Sequence, residues 1–224
     1  MRKTFGAVIV CILTLAGAAQ AGKITGDQVV ASVKKTFAAI NDYRVDASLS
    51  ITGPNIKISK MAMTIYYKKP NRVHVEAKDG VALVPEGSFV GNPIEELSRG
   101  SKATYLRSEN KAGCYCHVVG LTSPDGPQTT LWVDGKRGVI VASESSGQFK
   151  AGSIWRYKLV DGKYYLPVEI SAVMSVPGGG GFGRGRRHRE EASRPQQANM
   201  VVSFSNYVVN KGISDKIFER KSRD

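Results

Sequence analysis

The sequence is poor in the residues that catalysis uses most. Only three histidines stand among 224 residues. No His-Glu-x-x-His pattern occurs. The four glycines at 178–181 lack the Lys-Ser/Thr and the strand-to-helix setting of a phosphate-binding loop. His188 stands among arginines, while His74 and His117 stand in alternating segments without a nucleophile motif. The pairs Glu95-Glu96 and Glu190-Glu191 are adjacent in sequence, so their carboxylates diverge and read as solvated charges. No catalytic residue and no cofactor are expected, and a binding protein is favoured over an enzyme.

Cysteine is scarce too. Of three, Cys11 falls in the N-terminal apolar run, leaving Cys114 and Cys116. At i and i+2 on a strand they share a face at the long limit for a bridge. A strained disulfide and two free thiols both fit. His117 follows at once, but alternation turns it to the other face, and no metal site is assigned.

Long hydrophobic runs are absent after the first one. Arg2 and Lys3 precede an apolar stretch from Ala7 through Leu15, and Ala19-Gln20-Ala21 has the small-x-small form of a cleavage site. Residues 1–21 therefore read as a cleavable signal peptide, the stretch being too short for a permanent span. The protein is expected to be periplasmic or secreted. Residues 22–224 fit one domain. Acidic residues are outnumbered, 19 against 32 basic ones. A basic, exported surface points to anionic membrane rather than to nucleic acid.

What is present is patterned. Val29, Val30, Val33, Phe37 and Ile40 recur at helical spacing, with Gly26-Asp27 as the expected cap and an end near Asn41-Asp42. Tyr43, Val45, Ala47, Leu49 and Ile51 then alternate with polar residues, as do Met61, Met63, Ile65 and Tyr67, then Val73 and Val75. Gly53-Pro54-Asn55, Lys68-Lys69-Pro70-Asn71 and Asp79-Gly80 read as turns. Val84 to Gly100 breaks the rhythm. It reads as a loop with one helical turn over Pro93–Leu97, capped by Asn92, and its Phe89, Val90, Ile94 and Leu97 should fold onto the domain. Seven more strands follow from Thr104 to Val209, joined by short turns. Residues 177–197, rich in Gly and Arg, read as a flexible loop. Its Arg184, Arg186, Arg187 and Arg189 are candidate contacts to anionic lipid, the alternative being a solvated insertion. The fold class is α+β: a large curved antiparallel sheet, covered by the N-terminal helix and a loop/short-helix lid.

The layout resembles the LolA-like outer-membrane lipoprotein-sorting family. The resemblance rests on Ala39-Ile40-Asn41-Asp42-Tyr43-Arg44-Val45-Asp46-Ala47 and on Tyr66-Tyr67-Lys68-Lys69-Pro70-Asn71-Arg72-Val73-His74-Val75-Glu76. It continues in Thr130-Leu131-Trp132-Val133-Asp134, Tyr164-Tyr165-Leu166-Pro167, Phe204-Ser205-Asn206-Tyr207 and Asp215 to Phe218. It implies an unclosed β-barrel whose apolar cavity carries the acyl chains of lipoproteins or lipids. Leu49, Ile51, Met61, Met63, Ile65, Tyr67, Val73, Val75, Phe89 and Leu97 are the candidate lining, with ordinary core as the competing role for each. Two departures stand out. His74 occupies the position, four residues after the Pro of the Pro-Asn turn, where the family's carriers place an Arg used in transfer. Residues 81–100 also replace an aromatic strand. The expected protein is a monomeric carrier of acyl chains, with a membrane protein or an anionic membrane as further partner. An envelope-stress or membrane-protein regulatory module of the same fold is the alternative.

Overall fold

The computed structural model describes residues 23–54, 56–77, 92–124, 126–146, 151–176 and 196–219. The expected signal peptide, the Asp79-Gly80 turn, Phe89 and the four loop arginines lie outside them.

Helix α1 spans Gly26–Phe37. Its cap is Thr25, one position before the expected Gly26-Asp27. Thr25 Oγ1 accepts from the Gln28 amide, and Gln28 Oε1 accepts from the Thr25 amide, at 3.2 and 3.0 Å. The reciprocal pair satisfies two otherwise orphaned donors. The helix stops at Phe37, earlier than the periodicity suggests, yet Ile40 remains buried in the turn that follows.

Ten strands follow: β1 (Asp42–Gly53), β2 (Ile56–Lys68), β3 (Arg72–Ala77), β4 (Lys102–Lys111), β5 (Cys114–Thr122), β6 (Gln128–Asp134), β7 (Ile140–Ser146), β8 (Ala151–Val160), β9 (Tyr164–Val176) and β10 (Gln196–Val209). Helix α2 (Pro93–Ser98) lies between β3 and β4, and a 3-10 turn (Asp215–Phe218) ends the described chain. β10 starts at Gln196, so the last two residues of the expected loop are strand.

All strands form one antiparallel sheet in the order β3-β2-β1-β10-β9-β8-β7-β6-β5-β4. The two edges, β3 and β4, are neighbours in sequence but are not paired with each other. The sheet is an unclosed barrel, and the chain crossing from edge to edge carries α2. Register shifts at Arg44/Asp46, Leu49/Ile51, Tyr105/Arg107, Trp132/Val133 and Arg156/Tyr157 mark bulges. Bulges bend strands and sharpen their twist, which suits a sheet that curls around its own core.

Helix α1 is clamped inside the curl. A Cβ on Gly26 would sit 2.6 Å from the Ala103 carbonyl carbon, so only glycine allows that approach to β4. At the other end Thr36 Oγ1 donates to the Arg137 carbonyl at 3.1 Å, in the β6–β7 turn. That turn is organised by buried Asp134, whose carboxylate accepts from the Lys136 and Arg137 amides and from Arg137 Nε at 2.6–2.9 Å. Burial works against the charge of Asp134, but these donors together hold its carboxyl below the usual range.

Candidate ligand-binding site

Strand register decides which side chains share a face. Leu49 opposes Met61, Ala47 opposes Met63, Val45 opposes Ile65 and Tyr43 opposes Tyr67. Val75 opposes Ile65, and Val73 opposes Tyr67. Eight of the ten expected lining residues therefore stand on the concave face of β1, β2 and β3. Leu49, Met63, Ile65 and Tyr67 are buried, while Ile51, Met61 and Val75 are half-buried against the same cluster. Val73 shares the face but is 40% exposed, because β3 is an edge strand. Leu97 reaches the cluster from α2.

The sequence reading missed the far half of this interior. Val33 and Phe37 enter it from α1, Leu121, Leu131 and Ile140 from β5 to β7, and Trp155, Ile170, Met200 and Phe204 from β8 to β10. Their alternation was visible, but nothing in it told which face was concave. Ile94 of α2 is fully buried in the same cluster.

Aromatic rings run along one side of it. Tyr43 lies 5.1 Å from Tyr67 and 5.9 Å from Tyr207, and Phe204 lies 6.5 Å from Tyr207. Such offset and edge contacts suit ring quadrupoles. Tyr207 donates to the Pro167 carbonyl at 2.8 Å, and burial pushes its hydroxyl pKa far up. Tyr157, stacked on Trp155 at 6.3 Å, keeps a buried hydroxyl without a partner among the described residues.

His74 pairs with Tyr66 on the opposite, convex face, as alternation indicates. Its Nε2 lies 3.5 Å from Glu76 Oε1 and its ring 6.0 Å from that of Tyr66. It is therefore turned away from the apolar interior. Cys114 and Cys116 are free thiols on the convex face. Cys116 is buried beside Val118 and Trp132, and burial together with neighbouring Cys114 pushes its pKa up to about 11. Among the described residues no group of three His, Cys, Asp or Glu could hold a metal. Among them, too, no helix is long and apolar enough to cross a membrane.

Two cavities matter. One, of about 330 Å³, is a shallow apolar groove on the convex face, lined by Ala142, Ile154, Val173 and Val201 between Lys111 and Glu144. The other, of about 620 Å³, is polar and lies where α1, the β2–β3 turn and α2 meet. Asn92 stands before α2 as expected, and Asn92 O accepts from the Glu95 amide at 3.2 Å. The expected side-chain cap is not made, however: Asn92 Oδ1 is buried without a partner among the described residues.

The arrangement defines a class: a curled, open antiparallel sheet whose apolar concave face is covered by helices. The fold is LolA-like. A DUF1329 family protein from Desulfovibrio piger superposes with a TM-score of 0.62 at 12% identity, over 87% of this chain and 95% of that one. An outer membrane lipoprotein-sorting protein domain from Vibrio parahaemolyticus gives 0.62 at 11% identity, over 86% and 95%. A LolA superfamily protein from Nitrosomonas europaea gives 0.56 at 12%, over 88% and 98%. At such identities the likeness is one of fold alone. Neither a family model nor a curated protein matches the sequence.

Proposed function

We propose that the protein is an extracytoplasmic carrier that takes the acyl chains of lipids or lipoproteins between its concave sheet face and the helices over the gap. The observation that carries this reading is the unpaired edge. β3 and β4 are left apart, and the crossing chain plants Ile94 and Leu97 on the apolar interior instead of closing the sheet. A covered gap can open without breaking a strand ladder. Each methylene buried behind it contributes about 0.8 kcal/mol, so an acyl chain replaces the contacts the cover gives up. Half-buried Met61, near Leu49 and Ile51, supplies an adaptable wall. The N-terminal leader and the basic surface suit transit between membranes.

Native mass spectrometry of protein purified without detergent tests this. A mass adduct of one lipid or acylated peptide per chain supports the reading. An unliganded mass that persists after incubation with phospholipid vesicles sinks it.

The regulatory alternative has its own observation. Ile154, Val173 and Val201 are exposed on the convex face around the apolar groove. A membrane-protein partner docked there would be lost in Ile154→Lys, with lipid uptake retained. Loss of lipid uptake with the partner retained would count against it.

A further inference from the structure

The polar cavity beside the cover has a distinct composition. Among the described residues, Lys34, Lys69 and Arg99 line it together with one acidic residue, Glu95. Lys34 lies 3.6 Å from Glu95, Lys69 donates to the Ala38 carbonyl at 2.5 Å, and Arg99 has interactions of its own, so among the described residues Lys34 and Lys69 exceed the one carboxylate. An ammonium has three donors, so that single bond leaves Lys69 able to serve an anion. Tyr67 lines the same cavity while its ring stacks on Tyr43 within the apolar interior. A polar chamber thus shares a wall with the interior. That is the layout an amphiphile needs, with its charged end in one compartment and its chains in the other.

Asn92 narrows the chemistry further. It lines the cavity, is only 8% exposed, and its Oδ1 has no hydrogen-bond partner among the described residues. A buried acceptor left unpaired costs about 1–3 kcal/mol. A ligand that brings a donor removes that cost. Cations call for an anion, and the amide oxygen calls for a hydroxyl or N–H.

We propose that this cavity is a head-group subsite for a phosphoglycerol-type head, its phosphate held by Lys34 and Lys69 and a glycerol hydroxyl donated to Asn92 Oδ1. The proposal rests on the carrier reading, which supplies the chains that continue past Tyr67. Its chemistry is shared by a lipid head group and by free glycerol phosphate.

Three probes separate the outcomes: dilauroyl phosphatidylglycerol, dilauroyl phosphatidylcholine and glycerol 1-phosphate. The expected result is a phosphatidylglycerol affinity about tenfold above that of phosphatidylcholine, the size of one charge-assisted contact. Asn92→Leu and Lys69→Gln should each collapse that ratio. Equal affinity for the two lipids overturns the subsite while leaving the carrier reading intact. Variants that weaken both lipids equally, with the ratio preserved, overturn it too. If neither lipid binds, the carrier reading falls and glycerol 1-phosphate decides the pocket by itself. Shifts of the Asn92 side-chain amide and Gly100 backbone resonances then keep it as a free-phosphate site, and unmoved resonances overturn it.

Discussion

Asn210 ties together three parts of the chain that are far apart in sequence. Its Oδ1 accepts from the Asn41 and Asp42 amides at 2.7 and 3.3 Å, and its Nδ2 donates to the Ala39 carbonyl and to Tyr164 Oη at 2.8 and 2.9 Å. Its φ of 53° lies in the left-handed region that Asn tolerates better than most residues. Asp42 completes the clasp by accepting from the Lys211 and Gly212 amides. Asn210→Ala should cost about 2–3 kcal/mol, since it strips several partly buried groups of a partner at once. Urea unfolding measures it, and a loss under half a kilocalorie would mean that water replaces the side chain. Glu109 yields a pH prediction. It receives two bonds from Arg107 and one from Trp132 Nε1, and these hold its carboxyl at about 2 against an ordinary 4.5. A depressed carboxylate stabilises the fold above its unfolded pKa and loses that contribution as pH falls through the folded one. Glu109→Gln should therefore be less stable than the wild type at neutral pH, and the gap should close between pH 4.5 and about 2. A gap constant across that window would contradict the assignment.

At the scale of elements, the cover and the sheet should differ in stability. Among the described residues, α2 is held by Ile94, fully buried, by Leu97 and by an exposed ion pair, Lys34–Glu95. The sheet beneath has continuous ladders. Local opening follows contact density, so a segment with few anchors opens below the global unfolding free energy. Ile94→Ala should speed amide exchange in 93–101 by one to two orders of magnitude, equivalent to about 2 kcal/mol of lost burial. The urea midpoint should move less than it does for a comparable truncation at Val45 in β1. Equal midpoint losses would show that cover and sheet open as one unit. The elements were also where sequence was most legible. Period-two alternation in β1 and β2 marked their apolar faces, and the Pro93 turn stood out against the strands around it. Helix α1 is capped at Thr25, one residue before the Gly26-Asp27 cap that its apolar stripe indicates, because the Thr25–Gln28 pair lies just outside that stripe. What alternation cannot encode is the side toward which a sheet curls. Trp132, Cys116 and Val118 form a second apolar cluster on the convex face, beneath the long side chains of β4, so both faces of β5 to β7 read as buried. The pocket around buried Asn92 was equally invisible, since it depends on three segments meeting in space.

Over the whole molecule, the strand order joins two properties. A meander from β4 to β10 returns to β1 and ends at β3, leaving β3 and β4 as the two edges. Exposed edges invite pairing with other chains. Here the C-terminal 3-10 turn blunts β3: Lys68 and Arg72 hold Asp215 at 2.6 and 2.9 Å, and Arg72 lies 5.3 Å over the Phe218 ring. On the carrier reading, the same open order gives the interior an entrance. The carrier reading asserts that acyl chains pass through it to the concave face, whereas the regulatory reading places the partner on the convex one. Site-specific photo-crosslinking decides between them most directly. A benzophenone side chain is placed in turn at Met61, facing the interior, and at Ile154, on the convex groove, and the protein is irradiated with a lipid carrying labelled acyl chains. The account predicts label transferred from position 61 and none from position 154. Transfer from 154 alone, or from neither, would contradict it.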